Sequence, residues 1–325
     1  MSVAVQPSDV SGLREKVVRK PRALRAGSAV LPIGLSSPGA PERVAAGLRT
    51  LQALGLRALE YPVREQQGFV VGTTEERRGD FLQGLAREDV DALVAIRGGY
   101  GSNYLLDGLT VPGSERAKLV LGYSDLTSLQ VFLWQRYGWV TIYGPMIAAG
   151  LDHGDGAEKG FDKASLMSAL FETNSGWNIP LRGEALVTGA AESRFLGGCM
   201  TLVETTLGTP WELDTRGAIL LLEDRGMKPW QVDRALMHLL QAGKFQDVRG
   251  ILLGDFPECE APFAGSPTVR DVCARILAPL GVPVVYGAPV GHTMRAQLTV
   301  PLGVRARLHS EGESTLEILE PAVTA

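Results

Sequence analysis

Leu119-Val120-Leu121-Gly122-Tyr123-Ser124-Asp125-Leu126-Thr127 is an aliphatic run, a glycine and then a polar step into a segment with Leu126, Leu129 and Leu133. The run predicts a buried strand. The leucines, at i, i+3 and i+7, predict a helix directly behind it. A strand that turns at once into a helix is half of a βα unit, and the same alternation extends outward on the N-terminal side. Ala29–Leu35 is a short apolar run closed by Ser36-Ser37-Pro38-Gly39. Pro41–Ala53 has helical spacing, with Val44, Leu48 and Leu51 on one side. Arg57–Tyr61 is strand-like, and Thr74–Arg87 reads as a helix with Thr74 as N-cap and Glu75 and Glu76 in its first turn. Ala92–Ile96 is a further strand, broken by Gly98-Gly99. Short strands alternating with helices imply a parallel sheet covered on both faces.

The alternation stops near Gly144-Pro145. Residues 150–182 are mixed and polar, with one helical stretch from Asp162 to Phe171, so a domain junction is expected there. Strand signals return at Ala218–Leu222, Gly250–Leu253, Pro283–Tyr286 and Thr299–Leu308. Between the first two lies a helix with Val232, Ala235, Leu236, Leu239 and Leu240 as its apolar stripe. The expected plan is a polar N-terminal arm (1–27), an N-terminal α/β domain (28–150), a linker segment (151–182) and a C-terminal domain (183–325).

Composition narrows the function. The 325 residues are 45% hydrophobic and 21% charged, enough to bury a core in each of two domains. A formal net charge of -4 provides no global basic footprint for nucleic acid. No uninterrupted apolar run reaches the length of about 18 residues needed to span a bilayer, and Asp9, Arg14, Glu15 and Lys16 stand where a signal peptide needs its apolar core. A cytoplasmic protein is expected, with no membrane partner. Cys199, Cys259 and Cys273 form no C-x-x-C pair and fit a reducing compartment.

Metal and nucleotide motifs are weak. The four histidines are dispersed, there is no H-E-x-x-H, and no G-K-[ST] phosphate loop is present. Gly98-Gly99-Tyr100-Gly101 lacks the third glycine and later acid of a dinucleotide fingerprint. No cofactor and no metal are expected. Three strand ends remain. Ser124 follows Leu119–Gly122 and is read either as an exposed hydroxyl above the sheet edge or as the N-cap of the next helix. The G-x-S-x-G elbow is not matched, because Leu126 replaces the second glycine. Glu223 and Asp224 follow four aliphatic residues, Ile219 to Leu222, and are read as a site carboxylate or as a turn paired with Arg225. His292 is presented by Gly287-Ala288-Pro289-Val290-Gly291. In chain order they form nucleophile, orienting carboxylate and base, each at a strand end where α/β sites form.

Arg97-Gly98-Gly99-Tyr100-Gly101-Ser102, Gly122-Tyr123-Ser124-Asp125, Gly144-Pro145-Met146, Gly197-Gly198, Leu222-Glu223-Asp224 and Gly291-His292 occur in an ordered set. The set resembles the LD-carboxypeptidase family of serine peptidases, which also contains microcin C immunity-type hydrolases, and it runs from about Lys20 to about Leu308. The resemblance implies an amidotransferase-like N-terminal domain and a smaller C-terminal α/β swivelling domain. It implies Ser124 as nucleophile, His292 as general base and Glu223 as its orienter. It maps the oxyanion-hole N–H groups to Gly99 and Asp125 and brings Tyr100 and Asn103 forward as substrate contacts. The implied reaction is removal of the terminal D-Ala from murein tetrapeptides in peptidoglycan recycling, by a homodimer. The alternatives are an amidase acting on aminoacyl or peptidyl adenylate analogues and a non-catalytic peptide or glycan binder. Two departures, Tyr143 and Met227, lie outside the implied triad and are expected to leave the chemistry intact.

Overall fold

The computed structural model describes residues 16–325. Its first half contains strands β1 (Ala29–Ile33), β2 (Arg57–Ala58), the hairpin β3 (Gln66–Gln67) and β4 (Val70–Val71), β5 (Ala92–Ala95), β6 (Leu119–Gly122) and β7 (Thr141–Tyr143). Helices α1 (Pro41–Ala53), α2 (Thr74–Ala86) and α3 (Thr127–Tyr137) connect them. The second half adds α4 (Lys163–Phe171), β8 (Trp177–Pro180), β9 (Glu184–Val187), β10 (Ala190–Cys199), α5 (Met200–Glu204), β11 (Ala218–Glu223), α6 (Pro229–Gln241), β12 (Gly250–Gly254), α7 (Val269–Leu277), β13 (Val284–Ala288), β14 (Val300–Leu302), β15 (Arg305–His309) and β16 (Thr315–Ile318).

One sheet has six strands in the order β14-β7-β6-β5-β1-β2, and the other eight in the order β8-β16-β15-β10-β11-β12-β13-β9. Strands β7, β6, β5, β1 and β2 run parallel, as the βα alternation predicts. The second sheet has a parallel centre, β10 to β13, bordered by antiparallel strands. It is the wider of the two. Every residue of β1, β5, β6, β11 and β12 is buried, which is why these segments are mostly aliphatic rather than alternating.

The apolar run from Thr299 to Leu308 is not one strand. Its first part, β14, pairs antiparallel with β7 in the N-terminal sheet, while β15 pairs with β10 in the other. The chain therefore crosses back between sheets just after His292. Helix α3 is shared in the same way. Leu129, Phe132 and Leu133 join the N-terminal core, and Val131 and Trp134 join the core of the second sheet. Eight consecutive residues, Thr127 to Trp134, are buried.

The polar arm of the sequence reading is partly outside the described residues, since residues 1–15 are not among them. From Arg19 onward it is extended backbone built into the fold, bridging to Trp139 and Thr324. The stretch 151–182 is likewise more than a linker. Helix α4 buries Leu166 and Leu170, and β8 closes the edge of the eight-stranded sheet. Two local expectations change. The cap of α2 is Thr73, because its hydroxyl lies three residues before Glu76 and the two exchange a capping box. On α6, Leu240 is 37% exposed, being rotated off the stripe formed by Val232, Ala235, Leu236 and Leu239.

Candidate active site

Strand β6 ends at Gly122, and the chain turns through Tyr123 into a 3-10 turn, Ser124–Leu126, that leads into α3. Ser124 sits in that turn with φ of 64°. A left-handed backbone costs an L-residue roughly 1–2 kcal/mol and persists where its surroundings over-determine it. The hydroxyl caps nothing. Tyr123 precedes the 3-10 turn and Leu126 precedes α3, neither with a side-chain cap. The capping reading of Ser124 therefore falls. Gly98 shows what the strain achieves: a Cβ there would lie 2.8 Å from Ser124 Cβ and 3.0 Å from its Oγ. The Gly98 backbone approaches the hydroxyl as only glycine can.

Asp125 is buried, and its carboxylate ties the turn down. The Ser36 hydroxyl donates to Oδ2 at 2.5 Å, and the Ser102 N–H donates to the same oxygen at 2.8 Å. The Ser102 hydroxyl bonds the Asp125 carbonyl in return. Arg77 on α2 is also buried, and its Nη1 donates to the carbonyls of Leu35 and Gly101, both at 2.7 Å. These bonds join the end of β1, the 98–102 turn and the serine elbow into one block. We expect Arg77→Met to lower kcat by on the order of 10- to 100-fold with a much smaller change in KM, because it takes a donor from the Leu35 and Gly101 carbonyls and loosens the turn rather than removing a substrate contact. Steady-state kinetics with a melting curve would check it. A loss of stability with kcat intact would reduce Arg77 to a packing residue.

Glu223 is the last residue of β11 and fully buried. Its Oε2 accepts from His292 Nδ1 at 2.8 Å and from the His292 backbone N–H at 2.9 Å. Its Oε1 accepts from the Tyr143 hydroxyl at 2.5 Å. Burial alone would push the carboxyl up, but the His292 charge, its two N–H donors and Tyr143 together hold it below the usual range. Tyr143 moves the other way, since burial and the Glu223 charge raise its hydroxyl well above the ordinary value. It stays a proton donor. Gly291 permits the approach, because a Cβ there would fall 2.3 Å from Glu223 Cδ.

His292 lies between β13 and β14, on the crossover between sheets. The next residues are clamped to Asp255 at the end of β12: the Thr293 hydroxyl donates to Asp255, and Arg295 Nε donates to it at 3.1 Å. The Tyr123 ring and the imidazole form a T-shaped pair with centroids 5.1 Å apart. Ser124 and His292 line one cavity of about 800 Å³, together with Gly98, Gly99, Thr201 and Asp224.

Asp224 is not the exposed ion-pair residue of the sequence alternative. It is buried and accepts from Thr201 N at 2.9 Å, Thr201 Oγ1 at 2.6 Å and the Arg225 backbone N–H at 2.8 Å. The Arg225 guanidinium instead grips Glu258 at 2.6 and 2.7 Å. Burial, with the neighbouring Glu223 charge, raises the Asp224 carboxyl. Tyr100 and Asn103 are exposed and outside the cavity wall. The Tyr100 ring leaves the turn to pack edge-on against Phe69 and Tyr104.

Sequence reasoning underrated Tyr143. It stood as a departure outside the triad that bears on the substrate and leaves the chemistry intact, yet its hydroxyl holds the other oxygen of Glu223 and lies 3.4 Å from Ser124 N. Its position at a strand end beside Gly144-Pro145 was the available signal. Met227 is more distant, with its sulfur 3.8 Å from the Thr201 hydroxyl. Arg77, Asp255 and Arg295 carried no motif at all. Among the described residues, no group of three or more His, Cys, Asp or Glu side chains is arranged to hold a metal ion. Nor is any helix of these residues long and apolar enough to cross a membrane.

Known proteins share this arrangement of elements. Residues 33–144 match the LD-carboxypeptidase N-terminal domain, and residues 192–308 match the LD-carboxypeptidase C-terminal domain. The chain belongs to the LD-carboxypeptidase family of serine peptidases. It is 32% identical to a probable murein peptide carboxypeptidase of Bacillus subtilis, over 90% of this chain and 92% of that protein. It is 26% identical to the murein tetrapeptide carboxypeptidase of Pseudomonas aeruginosa, over 75% and 82%. Among solved structures, muramoyltetrapeptide carboxypeptidase from Oxalobacter formigenes superposes with a TM-score of 0.80 at 25% identity, over 92% of this chain and all of that one. The microcin self-immunity protein MccF, in complex with aspartyl sulfamoyl adenosine, superposes at 0.85 with 22% identity, over 94% and 99%. The mixed α/β architecture with a parallel N-terminal sheet is thus that of the family.

Proposed function

We propose that this chain is a serine LD-carboxypeptidase that removes the terminal D-Ala from murein tetrapeptides, with Ser124, His292 and Glu223 as its triad. The observation that carries the reading is the Glu223–His292 pair at 2.8 Å, opening on the same cavity as a serine held at φ of 64°. His292 takes the Ser124 proton as the hydroxyl attacks the carbonyl of the scissile amide. The oxyanion is received by the backbone N–H groups of Gly99 and Asp125, where one such donor is typically worth about 3 kcal/mol. An acyl-enzyme forms on Ser124, and the D-Ala amine leaves with the proton from His292. Water then enters by the same route and restores the serine. Glu223 fixes the ring tautomer that presents Nε2 to the serine and stabilises the imidazolium. Tyr143 and the His292 backbone N–H in turn hold Glu223.

The names of the relatives support the substrate class. The adenylate-analogue alternative would be favoured by an indole placed to stack on the base, and no tryptophan lines the cavity: Trp139 and Trp134 are buried, and Trp230 is exposed on α6. A reducing, cytoplasmic setting is supported by three unpaired and buried cysteines. A homodimer rests on the family resemblance, and sedimentation would check it. The reaction is tested by incubating the protein with murein tetrapeptide and, separately, with an aminoacyl sulfamoyl adenosine, followed by mass spectrometry. Loss of one alanine from the first, with the second intact, is the expected result. Cleavage of the second alone would give the activity to the immunity-type branch, and cleavage of neither would favour the non-catalytic binder.

A further inference from the structure

A carboxypeptidase must recognise a free carboxylate on the carbon next to the leaving nitrogen. On the reading above, that nitrogen takes its proton from His292, so the carboxylate lies on the His292 side of the cavity and away from the Gly98-Gly99 turn. Four cations line the cavity: Arg43, Arg97, Lys159 and Arg225. Arg225 is held by Glu258. Arg43 is held by Asp152 at 2.6 Å, in a pair whose acid is buried. Among the described residues, Arg97 and Lys159 form no ion pair, and Arg97 belongs to the oxyanion turn, where its Nη1 donates to the Pro38 carbonyl.

Lys159 is on the correct side. Its backbone N–H donates to the Met294 carbonyl at 3.1 Å, two residues past His292, and Gln297 N–H donates to the Gly160 carbonyl at 3.0 Å. The Gln297 side chain closes the link by donating to the Gly291 carbonyl at 3.0 Å. The segment is tight, because a Cβ on Gly160 would meet the Gly154 carbonyl at 2.1 Å. Within it Lys159 takes φ of 58°, a left-handed conformation for a residue with a long side chain. Strain of this kind at a cavity wall marks a position fixed by its surroundings. Its charge is felt at the cavity, where it helps hold the Glu258 carboxyl below its usual range, after the larger effect of Arg225.

We propose that Lys159 is the specificity residue that binds the C-terminal carboxylate of the substrate, an inference that rests on the carboxypeptidase reading above. An ammonium reads a carboxylate through charge-assisted hydrogen bonds, which an amide at the same position cannot replace. The experiment compares kcat/KM for a murein tetrapeptide and for its C-terminal carboxamide in the wild type, Lys159→Met, Lys159→Arg and Arg97→Met. The wild type should prefer the free acid. Lys159→Met should reduce that preference by on the order of 10- to 100-fold, Lys159→Arg should recover much of it, and Arg97→Met should retain it. A preference unchanged in Lys159→Met, or lost in Arg97→Met instead, overturns the assignment while leaving the carboxypeptidase reading in place. A wild type that cleaves neither peptide overturns that reading, and calorimetry in the Ser124→Ala background then decides on the carboxylate site alone. Tighter binding of acid than of carboxamide, abolished by Lys159→Met, supports the site, and equal binding or no binding of the two overturns it.

Discussion

Ser124→Ala is expected to fold like the wild type and to lose roughly 10⁴- to 10⁶-fold in kcat. Among the described residues no side-chain hydrogen bond depends on the hydroxyl, and alanine keeps the Cβ that packs against Gly98. Residual turnover would come from substrate binding and the oxyanion donors. A companion variant separates mechanism from architecture. Ser124 occupies φ of 64°, which glycine adopts freely. Ser124→Gly should therefore be equally inactive yet more stable, by about 1 kcal/mol, since it relieves the left-handed strain. For a chain of 325 residues that corresponds to a Tm rise of roughly 1–2 °C. Activity assays and thermal melts on the two variants check both halves. Retained activity in Ser124→Ala would remove the nucleophile, and a lower Tm in Ser124→Gly would remove the argument that the elbow stores strain for function.

What could be read from the sequence follows the physics of each segment. Strands buried on both faces, such as Leu119–Gly122 and Ala218–Glu223, announce themselves as aliphatic runs, and both are strands in the fold. Glycines at Gly98 and Gly291 were visible as loop breakers, but their purpose lies in what they approach, Ser124 and Glu223, and proximity across the fold is absent from a one-dimensional pattern. The run from Thr299 to Leu308 shows a different limit. Hydropathy marks the residues as buried and is silent on which sheet they enter, so a strand exchanged between sheets reads as one element. Helix α3 misled less, since its leucine spacing was clear. That its opposite face is also buried follows only from the second sheet packing over it. The bond from Tyr143 to Glu223 was not legible either. A tyrosine ending a strand has no distinctive spacing to the carboxylate it serves, 80 residues away.

Glu223→Gln is expected to lower kcat/KM by on the order of 10³- to 10⁴-fold without unfolding the protein, whereas Asp224→Asn should cost less than about 10-fold. The two carboxylates are adjacent in sequence and both buried, so the difference is one of partners. Glu223 faces donors only: His292 Nδ1, the His292 backbone N–H and the Tyr143 hydroxyl. An amide placed there must aim its NH₂ at one of them, and the imidazole loses the acceptor that fixes its tautomer. Asp224 receives Thr201 and the Arg225 backbone, and no group of the triad. Tyr143→Phe tests the support behind Glu223 through pH. The folded carboxyl of Glu223 is held below its ordinary value, so its contribution to stability is complete above the unfolded value and is lost as pH falls through the folded one. Removing the Tyr143 hydroxyl takes away one of the lowering bonds, moves the folded value up and narrows that window. Acid unfolding of Tyr143→Phe should consequently begin at higher pH than in the wild type. Values of kcat/KM for the two carboxylate variants, with acid unfolding followed by circular dichroism for Tyr143→Phe, decide the matter. A larger loss in Asp224→Asn than in Glu223→Gln would show that the orienting carboxylate is the neighbour, and an unchanged acid midpoint in Tyr143→Phe would show that its hydroxyl does not hold Glu223.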